Sequence, residues 1–171
     1  MRGQIFLILL MLVLLVIIGS TPSLGQESKP MMTGMVTVNA ADLKWVPAEA
    51  LPPGGMMAVI REDPVTKAVD FLFKVAEDYH VPKHWHTPNE RVTTIEGTFT
   101  TTSGAEGKKH TLTKGGYMYL PGKSVHEAWL KGKTMILVSG EGAFDVNYVN
   151  PADEPATYKA MKAKAAEGER K

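Results

Sequence analysis

Five histidines and no cysteine set the metal chemistry open to this chain. Thiolate nucleophiles, Cys-ligated zinc and disulfides are excluded, so a bound metal must be held by nitrogen and oxygen. Two of the histidines stand in the run His84-Trp85-His86-Thr87-Pro88-Asn89-Glu90. Alternate residues of a strand face the same side, which puts His84 and His86 together. Glu90 shares their parity, although parity need not persist through Pro88. Two imidazoles and a carboxylate meeting at one point suit a borderline divalent metal. A lone His-x-His fits equally well a pair of exposed histidines around a turn. His126 follows the tight turn Pro121-Gly122 and could bring a third imidazole from a neighbouring strand. His80 and His110 sit in no such pattern and are expected to be non-ligands.

Strands must position these residues. Between residues 35 and 149, short apolar or alternating runs are separated by turn residues. The runs fall at 55–61, 68–75, 81–86, 90–102, 117–120, 124–130, 134–139 and 144–149. Turns are expected at Ser103-Gly104, Lys114-Gly115-Gly116, Pro121-Gly122, Lys131-Gly132 and Gly140-Glu141-Gly142. Many short strands with regular turns favour a sandwich or a barrel, so the fold class is all-β. From residue 156 to 171 the composition shifts to Ala, Lys and Glu, a helix-prone charged tail expected to be a solvated helix or frayed end.

The start of the chain has a different character. Arg2 precedes an unbroken apolar run of 14 residues, 5–18, and small residues follow at Ser23-Leu24-Gly25. Residues 1–25 match a secretory signal peptide. A retained anchor is the alternative, but a spanning helix needs about 20 residues. Residues 26–34 read as a flexible N-terminus and 35–155 as the barrel. The expected location is periplasmic or secreted, with no stable membrane anchor after cleavage. Beyond Arg2 the chain carries 18 basic and 18 acidic side chains, with no basic stripe to support nucleic-acid binding. Gly-x-Ser-x-Gly elbows, phosphate loops and nucleotide fingerprints are absent.

The His and Glu spacings resemble the cupin superfamily. In its first motif, His84, His86, Glu90 and Gly97 fall in place, with Asp78 where the first Gly stands. In the second, Gly115, Pro121 and His126 fit. Lys123 stands at the Gly of Pro-x-Gly, Gly122 lies one position early, and Leu130 replaces Asn. The stretches 84–92 and 148–153 are similar to small bacterial cupins, including the cupin domain of ChrR-type anti-sigma factors. No N-terminal sigma-binding domain is expected here, and the expected export argues against that activity.

The resemblance implies a double-stranded β-helix, a jelly-roll-like barrel, with one divalent transition metal (Mn, Fe, Zn, Ni or Cu) on His84, His86, Glu90 and His126. Tyr119, Trp129, Phe144 and Tyr148 are candidate pocket-lining residues, or else core packing. Octahedral Mn or Fe would leave two positions open, whereas tetrahedral Zn would be filled. An open site implies an exported oxygenase, decarboxylase or isomerase acting on a small oxygenated molecule. A filled one implies a non-catalytic metal- or ligand-binding module of the cell envelope. A homodimer is also expected, with residues 35–46 pairing or exchanging across a twofold axis.

Overall fold

The computed structural model describes residues 34–103 and 107–168. The expected signal peptide, nearly all of the flexible N-terminus, and Gly104 of one expected turn lie outside the described residues.

Nine strands form one curled sheet. They are β1 (Val46–Pro47), β2 (Met56–Glu62), β3 (Val69–Val75), β4 (Tyr79–Trp85), β5 (Glu90–Ser103), β6 (Lys108–Thr113), β7 (Tyr117–Leu120), β8 (His126–Gly140) and β9 (Asn147–Tyr148). Among the described residues one α-helix, α1 (Ala156–Gly168), follows. The order runs β1-β2-β3-β8-β4-β9, and β5 pairs with β6, β7 and β8, all antiparallel.

The longest strand organises the rest. One half of β8 pairs with β3 from Thr134 to Gly140, and the other pairs with β4 from His126 to Leu130. Strand β5 runs along both halves. Two neighbours sharing successive halves of one strand curl the sheet around a common interior. Phe71, Phe73, Val92, Phe99, Leu130 and Val138 are buried there. Each such side chain contributes about 1.5–3 kcal/mol on burial. The alternating burial of β8, with even-numbered residues inside, shows that the sheet has one inner face.

The expected break at Lys131-Gly132 is a kink within β8. Gly132 takes φ +57°, and pairing with β5 resumes past it, with register shifts around Glu96. A Gly-containing dipeptide reads alike as turn or bulge, and the continuing partner strand makes it a bulge. Strand β6 was not expected, because its residues are largely exposed on both faces and give no apolar alternation. Of the expected strand at 144–149, only Asn147–Tyr148 pairs.

Candidate metal centre

Strand β4 and the start of β8 lie side by side, and their register sets His84 directly opposite His126. A register irregularity between Val81 and His84 coincides with Pro82, which cannot donate to the ladder. His86 follows the end of β4, and Glu90 opens β5. All four side chains are buried. His84, His86 and His126 each offer a ring nitrogen within 4.8 Å of the others. A Glu90 carboxylate oxygen lies 3.6 Å from His86 Nε2 and the other lies 3.4 Å from His126 Nε2.

Backbone carbonyls fix which nitrogens face the centre. Nδ1 of His84 donates to Pro82 O at 2.7 Å, Nδ1 of His126 donates to Ser124 O at 3.0 Å, and Nδ1 of His86 donates to Asp145 O. With the proton held on Nδ1, Nε2 of each ring is left as a lone pair. Burial pushes the His84 pKa down to about 2, helped by the neighbouring His126 and His86. Burial also lowers His86 and His126 against opposing help from Asp145 and Glu90 respectively. Glu90 is raised by burial, with His126 pulling it back.

The result is a set of buried acceptors without donors. His86 Nε2 and Glu90 Oε2 are buried with no hydrogen-bond partner. An uncompensated buried polar atom costs about 1–3 kcal/mol. A proton on Glu90 could relieve one contact, whereas a cation relieves both orphaned atoms at once. Neutral imidazoles and one carboxylate are the donor set that a divalent transition metal takes. The residues present therefore fit such a metal.

A clamp around residues 86–89 holds the centre in place. Asp145 accepts from Thr87 N and Thr87 Oγ1, both at 2.6 Å, while its carbonyl accepts from His86 Nδ1. Partial burial raises the Asp145 carboxyl, but the Thr87 and Asn147 hydrogen bonds outweigh it and hold it below the ordinary value. Asn89 bonds Glu141, and its Oδ1 accepts from Gly122 N at 2.8 Å. A Cβ on Gly122 would sit 2.5 Å from Thr87 O, so the glycine at this position permits the close approach of two turns. Lys123, at the motif's glycine position, takes φ +64° and donates its N–H to His86 O. Asp145 and Glu141 gave no signal in the sequence, since Thr87 and Asn89, which they hold, lie more than fifty residues away in the chain.

Beside the cluster opens a cavity of about 540 Å³. Of the four aromatic candidates, Phe144 lines it, stacked on His86 with ring centroids 4.3 Å apart. The structure places Tyr119 and Trp129 elsewhere. Tyr119 stands half-exposed against Arg91, and Trp129 stacks on His80 with Lys109 over its ring. Both have outward parity, beside inward Leu120 and Leu130 respectively. Tyr148 stands next to the cluster, its ring 6.2 Å from that of His84, and its hydroxyl donates to Ala50 O. His80 pairs with Glu127 on the outer surface, away from the centre. The charged tail is not simply solvated: Tyr158 and Met161 of α1 line the cavity.

Solved structures place the fold among the cupins. The polyketide cyclase RemF from Streptomyces resistomycificus aligns with TM-score 0.60 and 19% identity, over 75% of this chain and 94% of that one. An RmlC-like cupin from Ralstonia eutropha JMP134 gives 0.57 and 16%, over 81% and 89%. An acetylacetone dioxygenase from Acinetobacter johnsonii gives 0.57 and 13%, over 81% and 95%. At these identities the likeness is one of fold. The narrower ChrR-type resemblance rests on the motifs alone. Among curated proteins, DNA damage-repair/toleration protein DRT102 of Arabidopsis thaliana is 25% identical over 107 residues, 63% of this chain. This chain spans about a third of that relative's length, since the match covers 33% of it. Within the cupins, the chain belongs to the family described as Domain of unknown function (DUF4437), which matches residues 20–147.

Proposed function

We propose that this protein is a metal-dependent cupin enzyme acting on a small oxygenated molecule, by oxygenase, decarboxylase or isomerase chemistry. The observation that carries the proposal is the convergence of three Nε2 lone pairs and the Glu90 carboxylate beside an open cavity. A site that served structure alone would need no cavity at its ligands. Fold neighbours that include a cyclase and a dioxygenase are in keeping with catalysis.

A divalent transition metal held by His84, His86, His126 and Glu90 would supply Lewis-acid or oxygen chemistry. The chain's own groups do the rest. The three Nδ1–H donors keep the rings aimed inward, and the apolar walls offer water few hydrogen-bond partners. Glu90, buried with its oxygens 3.6 Å from His86 Nε2 and 3.4 Å from His126 Nε2, would be held as the anionic oxygen donor of the set.

Elemental analysis of purified protein, combined with oxygen uptake and product detection across a panel of oxygenated small molecules, tests the proposal. Bound metal with turnover is expected. Metal with no turnover on any compound would favour the binding module instead. His84→Ala is expected to keep the fold by circular dichroism, lose turnover and fall below about a tenth of an equivalent of metal.

Export and dimerisation belong to the same proposal. The apolar run before Ser23 supports export, to be checked by mass spectrometry of the N-terminus from fractionated cells. No helix among the described residues is long and apolar enough to cross a membrane. Exposed Met35, Val36 and Val38 support contact with a second copy.

A further inference from the structure

Along the cavity wall, charge is confined to few places. Beyond the four cluster residues, the charged side chains lining it are Glu62, Lys67 and Asp145. Each is already engaged: Lys67 Nζ lies 3.2 Å from Glu62, and the Asp145 carboxylate accepts from Thr87 and Asn147. The remaining wall is almost wholly hydrocarbon, including Val59, Phe71, Phe73, Val92, Leu130 and Ile136. A sugar-like ligand would bury its hydroxyl groups against this wall with nothing to bond them, at a cost for each one. A hydrocarbon body would lose no hydrogen bonds there and would leave water.

Helix α1 adds two residues, Tyr158 and Met161, to the wall. Tyr158 Oη accepts from Val146 N at 3.2 Å, and Thr157 Oγ1 donates to Glu49 O at 3.1 Å. The helix is thus tied to both loops that flank the cavity, 48–51 and 143–146, whose residues also line it. Met161 stands one helical turn beyond Tyr158 and also lines the cavity while remaining half-exposed. Tyr158 and Met161 together add mainly apolar surface to the cavity wall from the helix. Methionine is the side chain best able to adapt to differing hydrocarbon shapes.

We infer that the cavity binds a molecule with one oxygen-donor head group and an uncharged hydrocarbon body, the head at the histidine cluster and the body along the apolar wall, with Tyr158 and Met161 of α1 setting which bodies fit. The inference rests on the proposed metal centre for the head group, but the preference for the body is independent of it. A volume of about 540 Å³ lies within the range of small-molecule sites.

Calorimetric titration of the full chain, both metal-free and loaded with Co(II), tests this with three carboxylates. Octanoate has the head and a hydrocarbon body, galacturonate has the head and a hydroxylated body, and acetate has the head alone. Octanoate is expected to bind at least about tenfold more tightly than either of the others in the loaded protein. In metal-free protein it is expected to remain the preferred ligand, with weaker binding. Failure of the metal centre would show as no Co(II) bound, with the octanoate preference intact. Galacturonate or acetate binding as tightly as octanoate, or no octanoate binding in either form, would overturn the inference. Met161→Glu, a change on an exposed helix position, is expected to weaken octanoate several-fold and leave acetate unchanged. Equal loss for both ligands, or loss for neither, would remove α1 from the assignment.

Discussion

Three histidines here are held neutral by burial, and their partners determine their orientation as much as their own positions do. Asp145 contributes through two groups, its carbonyl to His86 and its carboxylate to Thr87. Asp145→Ala keeps the carbonyl but frees Thr87, so metal affinity is expected to fall by about 10-fold or more. Metal-binding calorimetry beside wild type would show it, and unchanged affinity would reject the clamp. The histidines also make stability depend on pH. Their folded pKa values are depressed, to about 2 for His84, whereas an unfolded histidine titrates near about 6.5. Below that value the unfolded chain takes up protons that the folded chain does not. Each histidine then lowers stability progressively as pH falls toward its folded pKa. Glu90 is raised, so its own contribution is full below the unfolded value and is lost as pH rises through the folded one. Three groups outweigh one, so urea midpoints of metal-free protein are expected to drop between about pH 7 and pH 5. A flat profile would contradict the buried neutral histidines.

At the scale of elements, β5 and β8 carry the construction. Gly97 has φ +79°, and a Cβ there would lie 2.5 Å from Lys133 O and 2.3 Å from Thr134 Oγ1. Both the left-handed backbone and the close strand approach demand glycine. Gly97→Ala is expected to destabilise by about 1–3 kcal/mol, seen as a lower thermal midpoint with the fold retained. A midpoint within a degree of wild type would show that β5 bends freely there. The motif positions that depart from the cupin pattern are accounted for at this scale too. Asp78 accepts from Gly132 N at 2.6 Å, so it braces the β8 kink from a position with no left-handed backbone. Leu130 is buried in the core, where it packs with Phe99 and Val81. Lys123 bears the left-handed φ itself, an arrangement that costs an L-residue about 1–2 kcal/mol.

Among the described residues, core and cavity share one interior. Phe71, Phe73, Val92 and Leu130 belong to both. The exposed 35–38 segment, with Met35 91% exposed, lies outside that interior. Sedimentation velocity is expected to give a dimer, and deleting residues 26–38 is expected to weaken it. A monomer at micromolar concentrations and above would reject the association.

From sequence alone, the pairing of His84 with His86, the β class and the helical C-terminus were legible. Local physics decides those features: strand alternation pairs His84 with His86, turn residues mark strand ends, and Ala, Lys and Glu favour helix. The same parity could have placed Trp129, since an inward His126 makes odd-numbered residues of β8 face out. What remained illegible depended on contacts far apart in the chain. The kink at Gly132 is a bulge because β5 continues past it, and no window of sequence around Gly132 contains β5. The Asp145–Thr87 clamp, the covering of the cavity by Tyr158 and Met161, and the apolar character of its wall follow from which segments the curled sheet brings together. Sequence chose the donor atoms, and tertiary structure decided what stands beside them, because burial and hydrogen-bond geometry are properties of neighbours in space.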